Sequence, residues 1–225
     1  MIIAIDGPSG AGKSTIGKIL AKRLGLVYLD TGAMYRAVGL AVLRAKIDPA
    51  DTETIINLVK NLSIEFKGLG DELRIFLDGE DVSEQIRDER VSKMASIVST
   101  IPKVRRILVD RQRQIGTQSG NGCVLDGRDI GTVVFPDADF KFFLTAKPEA
   151  RARRRYEENL KKGIQTSYED TLAEIQDRDL RDTSRLDSPL QIPENAFVID
   201  TSEMDLEEVL SQLLDIISQR RKAAN

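Results

Sequence analysis

Residues Gly7-Pro8-Ser9-Gly10-Ala11-Gly12-Lys13-Ser14 match G-x-x-x-x-G-K-[ST] in full, and they lie between two elements that the pattern requires. Before them, Met1 to Ile5 is a short apolar run of the kind that forms a parallel strand buried on both faces. After them, Ile16, Ile19, Leu20 and Leu24 recur at helical spacing from Lys13 to Leu24, with Gly25 at the C-cap position. A strand, a glycine-rich turn and a helix in this order form an anion cradle. Backbone N–H groups close on phosphate oxygens, the helix terminus adds roughly half a positive charge, and a mobile lysine adds a whole one. Gly7, Pro8, Ser9, Gly10, Ala11, Gly12, Lys13, Ser14 and Thr15 are therefore expected to bind ATP or GTP. Lys13 is expected on the β/γ side and Ser14 on Mg²⁺. A plain strand-to-helix turn is the alternative, and the Lys-Ser pair in register argues against it.

The remaining pattern predicts an α/β chain. Leu26 to Leu29 reads as a second strand ending at Asp30-Thr31-Gly32, followed by a helix over Ala33 to Arg44 and another running from the capping segment Asp51-Thr52-Glu53-Thr54 to Asn61. The period then shortens. Ser63 to Phe66 and Leu73 to Leu77 flank Gly68-Leu69-Gly70-Asp71 as a hairpin, with a further turn at Asp78-Gly79. Val91 to Gln114 is helical with a break at Ile101-Pro102. Cys123 to Asp126 and Lys141 to Leu144 are the third and fourth core strands, with little helix between them. Helices follow over Glu149 to Lys162, ended by Gly163, and over Tyr168 to Leu180. Ala196 to Asp200 is the fifth strand, and Leu206 to Arg220 an amphipathic closing helix.

Composition narrows the chemistry. With 33 basic and 36 acidic residues among 225, the net charge of −3 excludes a general polyanion-coating role, so no nucleic-acid partner is expected. The absence of His removes Ser-His-Asp and Cys-His catalysis, and a single Cys123 cannot form an internal disulfide, which suits a reduced cytoplasmic setting. No segment approaches the roughly 18 apolar residues of a membrane span, so neither anchor nor signal peptide is expected. Among the basic residues 20 are Arg and 13 Lys, an excess of the fork that grips phosphate. A GTPase switch would carry an Asn-Lys-x-Asp segment, which is missing, so phosphoryl transfer to a small molecule is expected and a second anion site is needed.

Three segments supply arginines for it. Arg36 follows Thr31-Gly32-Ala33-Met34-Tyr35, Arg128 lies in Asp126-Gly127-Arg128-Asp129, and Arg178, Arg181 and Arg185 share Asp177 to Arg185. Taken with IDGPSGAGKST, DTGAMYRA, Pro102-Lys103-Val104-Arg105, DGRDIGTVVFPDA and RDLRDTSR, the chain resembles the bacterial cytidylate kinases, a branch of the nucleoside monophosphate kinases, along nearly its whole length. The resemblance implies a three-layer P-loop fold with a five-stranded parallel sheet, a small antiparallel β insertion in the monophosphate-binding region and a helical lid. One domain is expected, with a core (about 1–30, 116–150 and 190–225), an insertion (about 31–115, hairpin region 63–85) and a lid (about 151–188).

The resemblance also implies the reaction, in which ATP and CMP or dCMP give ADP and CDP or dCDP; a monomer is expected. By position, Arg36, Arg128 and Arg178 correspond to clamps for the CMP phosphate, with Thr31 beside them, and Asp182 to a ribose contact. Ser96, Arg105, Asp129 and Arg185 correspond to readers of cytosine. Ser14 and Thr31 depart from some relatives, which have Gly-Lys-Gly-Thr and Ser there, and both keep or gain a hydroxyl. Cytosine presents an amine donor beside an acceptor nitrogen and uracil reverses both, so a carboxylate at Asp129 near a donor favours cytosine. Its alternative is an ion pair with Arg128 or Arg185.

Arg151, Arg153, Arg154 and Arg155 crowd one helix, and helical spacing lets two or three face one ligand. Arg154 and Arg155 are the choices for the moving phosphoryl group, against a solvated basic face neutralised by Glu157 and Glu158. A phosphate acceptor is already ionised near neutral pH, so Lys13, Arg128, Arg154 and Arg155 act through charge and no general base is required. Asp126 ends an apolar strand where it would orient Mg²⁺ through water, or else cap the strand end. Competing readings are a P-loop kinase for AMP, UMP, shikimate or dephospho-coenzyme A, and a non-catalytic nucleotide-gated binding module.

Overall fold

The computed structural model describes residues 1–68 and 72–224. Five strands, β1 (Ile2–Asp6), β2 (Val27–Asp30), β6 (Cys123–Gly127), β7 (Phe140–Thr145) and β8 (Phe197–Asp200), form one parallel sheet in the order β2-β6-β1-β7-β8. Their side chains alternate between two cores. Ile3, Ile5, Tyr28 and Val124 face α1 (Lys13–Leu24) and α8 (Leu206–Ala224), while Ala4, Leu29, Cys123 and Leu125 face the other layer. Burial on both faces is why these strands read as continuous apolar runs.

The second layer contains α2 (Thr31–Arg44), α3 (Thr52–Asn61), α4 (Glu89–Val98) and α5 (Pro102–Gln118). A separate antiparallel sheet joins β3 (Ile64–Lys67), β4 (Arg74–Leu77) and β5 (Glu80–Asp81). The expected hairpin is present, but its apex at Leu69, Gly70 and Asp71 lies outside the described residues. Between β6 and β7 the chain makes only a five-residue π-helical turn, Ile130–Val134.

Several element boundaries differ from the sequence expectation, and two of them matter to the cleft. Helix α2 starts at Thr31 rather than Ala33, because the Asp30 carboxylate accepts the Ala33 N–H at 2.8 Å as an N-cap. After α6 (Pro148–Lys161), α7 (Tyr168–Ser184) runs a full turn past Leu180. Thr183 and Ser184 satisfy their hydroxyls on carbonyls of the preceding turn, so polar residues that looked like a helix end continue it. Arg178, Asp182 and Arg185 then recur at intervals of four and three residues, along one face.

Candidate active site

Parallel register brings the carboxyl ends of the strands to one edge, where ligands bind in open α/β sheets. Asp30 is in register with Asp126, and Asp6 with Gly127, so three carboxylates line this edge. A cleft of about 820 Å³ opens there. It is lined by Ser9, Gly10, Gly12, Lys13, Ser14 and Thr15 of the loop and by Thr31, Arg36, Ser96, Arg105, Asp126, Arg128, Asp129, Arg154, Arg155, Arg178, Asp182 and Arg185. Of the residues chosen from sequence, Gly7, Pro8 and Ala11 do not line it. Gly7 is a backbone requirement, since with φ of +144° a Cβ there would lie 2.0 Å from the Leu144 carbonyl oxygen.

At the donor end, α1 begins after Gly12 with no side-chain cap, which leaves its first N–H groups for an anion. Lys13 is buried and folds back to donate to the Pro8 carbonyl at 2.7 Å. Burial and then the Arg128 cation hold its pKa well below the ordinary lysine value. Ser14 Oγ donates to Asp126 Oδ2 at 2.9 Å, and Tyr28 OH donates to Asp126 Oδ1 at 2.7 Å. Burial, then the nearby Asp30, pushes the Asp126 pKa up to about 6 against the pull of Lys13. A hydroxyl and a carboxylate with excess negative charge, both open to a phosphate cradle, form the oxygen donor set that Mg²⁺ takes beside phosphates. Among the described residues no group of three or more His, Cys, Asp or Glu lies close enough together to hold a metal ion.

The opposite end of the cleft is made of arginines with acidic companions. Arg36 pairs with Asp30 at 2.8 Å, Arg128 with Asp182 at 2.7 Å, and Arg105 with Asp129 at 2.5 Å. Arg185 Nη1 stands 3.7 Å from Asp182 and its Nη2 is buried without a hydrogen-bond partner. Arg178 Nε is also a buried donor with no partner. Burial, then the Arg128 cation, lowers the Arg178 pKa to about 10. These buried guanidinium donors on a cleft have unused capacity for an acceptor, and their charge favours an anionic one. Burial alone would raise Asp182, but Arg128 and Arg178 outweigh it and hold the carboxyl below its usual value.

Several expectations meet more specific surroundings. Asp129 is paired with Arg105, not with Arg128 or Arg185, and the Tyr35 ring lies 5.4 Å from the Arg105 guanidinium. Thr31 Oγ1 donates to the Asp126 carbonyl at 2.7 Å. Arg154 donates to Thr201 Oγ1 at 3.2 Å and to the carbonyls of Thr201 and Ser202, whereas Arg155 is exposed on the cleft wall. Arg181 Nε donates to Ser96 Oγ at 3.1 Å, bridging α7 and α4. Sequence reasoning passed over Asp6, Tyr28 and Asp30. Asp6 is fully buried and accepts the Ile130 and Gly131 N–H groups at 2.8 and 2.7 Å, anchoring the turn that follows Asp129. The signal was present, since Asp6, Asp30 and Asp126 each close a buried apolar strand.

A parallel sheet with a phosphate loop at one end of its cleft and converging arginines at the other defines a P-loop nucleotide-binding protein with a second anion site. A shikimate kinase structure from Bacteroides thetaiotaomicron shares this fold, with a TM-score of 0.50 at 12% identity over 97% of this chain and 98% of that one. The family is narrower than the fold: the cytidylate kinase family model matches residues 3–219, and the chain belongs to that family. It is similar to the cytidylate kinase of Caldanaerobacter subterraneus subsp. tengcongensis, 54% identical over 98% of this chain and 96% of that protein. The cytidylate kinase of Mycobacterium leprae is 50% identical over 99% and 98% of the two chains. Among the described residues no helix is long and apolar enough to cross a membrane.

Proposed function

We propose that the chain transfers the γ-phosphoryl group of ATP to CMP or dCMP, giving ADP and CDP or dCDP. The observation that carries this is one continuous cleft with the uncapped phosphate loop at one end and Arg36, Arg128 and Arg178 at the other, in a member of the cytidylate kinase family. The loop N–H groups and Lys13 take the ATP phosphates. Lys13 exchanges the Pro8 carbonyl for a phosphate oxygen, whose negative charge favours the ammonium form that burial and Arg128 oppose. Arg36, Arg128 and Arg178 clamp the acceptor phosphate, with Asp30 and Asp182 holding two of those forks in place beforehand. Asp182 takes the ribose, and Ser96, Arg105, Asp129 and Arg185 read cytosine.

Arg155 is free to meet the moving phosphoryl group, and Arg154 would join it by leaving Thr201 and Ser202. Ser14, with Asp126 through water, would hold Mg²⁺, which supplies charge neutralisation between the donor phosphates. Residues 63–85 serve as part of the monophosphate-binding insertion (about 31–115) and 151–188 as the lid over a core of about 1–30, 116–150 and 190–225. The enzyme works as a cytoplasmic monomer on free nucleotides.

The test is ADP release from ATP and Mg²⁺ with CMP, dCMP, UMP, AMP or GMP supplied singly. ADP that appears with CMP and dCMP is the expected outcome. Turnover with AMP or UMP instead would move the assignment to another nucleotide, and ADP with none of the five would leave a binding module.

A further inference from the structure

Arg151 opens the arginine run of α6, yet it does not face the cleft. It is 3% exposed, and its guanidinium is shared among three partners. Nε donates to the Ala146 carbonyl at 2.8 Å, Nη1 to the Ser9 carbonyl at 3.0 Å and to Asp179 Oδ1 at 3.0 Å, and Nη2 to Asp179 Oδ2 at 2.5 Å. Ser9 belongs to the phosphate loop, Ala146 follows β7, and Asp179 sits on α7 beside Arg178. One side chain thus ties the loop after β1 and the chain after β7, whose strands pair in the sheet, to α7, which lies outside it. The loop also lies directly on its stem, because a Cβ at Gly10 would meet Arg151 Cβ at 3.2 Å.

The geometry has a consequence for the cradle. A trans peptide is planar, with its C=O and N–H directed to opposite sides. Holding the Ser9 carbonyl on Arg151 therefore turns the Gly10 N–H away from Arg151, and Gly10 lines the cleft. Nothing local does this, since Gly10 has φ of +80° and glycine moves readily among such conformations. A buried ion pair adds little net stability against apolar replacement, but a bidentate fork fixes direction closely.

We propose that the Arg151–Asp179 pair is a positioning device for the donor site: it sets the Ser9–Gly10 peptide so that the Gly10 N–H meets the ATP phosphates, and it anchors that peptide to the helix carrying Arg178. This rests on the reading of the loop as the ATP cradle, and no step of the chemistry passes through the pair.

The experiment uses Arg151→Lys, which keeps the charge and loses the fork, Asp179→Asn, which keeps the shape and loses the charge, and their double variant. Asp179→Glu is the conservative control. Each is titrated calorimetrically with the non-hydrolysable ATP analogue AMP-PNP plus Mg²⁺, and separately with CMP. Loss of one preorganised donor predicts a Kd for AMP-PNP raised about tenfold or more in both single variants, with Kd for CMP changed less than about threefold. The double variant should be no weaker than the weaker single variant, because both remove one shared interaction. Asp179→Glu should recover part of the affinity.

Lowered melting temperatures with an unchanged AMP-PNP Kd would overturn the proposal, as would equal weakening of AMP-PNP and CMP, or failure of all the variants to fold. Direct titration does not need turnover. Wild-type chain that binds AMP-PNP but releases no ADP with CMP would therefore break the kinase reading while leaving this test readable.

Discussion

The two ends of the cleft solve anion binding by different means. The loop end offers uncapped backbone N–H groups and one lysine, with the buried Asp126 carboxylate beside Ser14. The opposite end carries Arg36 of α2, Arg128 of the turn after β6 and Arg185 just past α7, each near an acidic companion, together with Arg178 of α7. Backbone donors need no counterion while they wait, because they carry only partial charge. Guanidinium groups carry a full charge, so burial and then a neighbouring cation both disfavour them, and these two causes lower the pKa of Arg178 against the pull of Asp182. The difference teaches that a preformed cation site must hold its own anions, which leaves Arg178 as the fork most available to substrate.

Replacing Lys13 with Met separates the ends most sharply. Loss of this one cation is expected to lower kcat by roughly 10³-fold with every acceptor, read from ADP release at saturating ATP, since donor-end charge does not depend on the acceptor base. A fall confined to CMP would break the division. Next, Arg36→Ala should raise KM for CMP, dCMP and UMP alike by about 10²-fold while KM for ATP moves little, as a charge-assisted clamp on phosphate predicts. Selective loss of CMP alone would contradict the clamp.

Asp129→Ala tests base reading at the same end. It should cost about 3–5 kcal/mol in urea unfolding, because it strands the buried Arg105, and it should narrow the ratio of kcat/KM for CMP over UMP. An unchanged ratio would reduce Asp129 to a partner of Arg105.

Two buried carboxylates, Asp6 beneath the turn after Asp129 and Asp182 among the arginines, should also respond oppositely to pH. Burial raises Asp6 to about 7 despite two N–H bonds, so the folded state keeps a proton that the unfolded chain has released. Its contribution to stability is full below about pH 4 and is lost as pH rises through about 7. Asp182, held down by Arg128 and Arg178, contributes above its unfolded value and loses that contribution as pH falls below about 4. Urea midpoints should show the gap between wild type and Asp6→Asn narrowing from pH 5 to pH 7.5, and that for Asp182→Asn narrowing from pH 5 to pH 3. Smallest is Thr31→Val, which removes the hydroxyl joining α2 to the Asp126 carbonyl. It should cost about 1 kcal/mol, with Thr31→Ser close to wild type.

Much of the fold was legible because its signals are local. Helix α1 and helix α3 follow from apolar spacing and caps, and the order of strands and helices follows from period changes. The errors were local as well: Asp30 caps α2 two residues early, and hydroxyl bonds to the preceding turn carry α7 past Leu180. Nearly all the residues chosen for the site line the cleft, but their partners were hidden. Asp129 meets Arg105 of α5, and Arg151, grouped with the other arginines of its helix, is buried against Ser9 and Asp179. No spacing rule links residues 28 or 142 positions apart.

By itself the sequence determined the strand, phosphate loop and helix, because that cradle is built from contiguous backbone whose geometry glycine and the helix terminus dictate. It also determined the stock of side chains available to a site, with no histidine and an excess of arginine over lysine. Tertiary structure alone decided which arginine holds which carboxylate, and which remain for a ligand. Those pairings depend on parallel register at the sheet edge and on how α6 and α7 pack over it. Charge–charge interactions act through space, with an energy set by distance and burial that chain order does not encode.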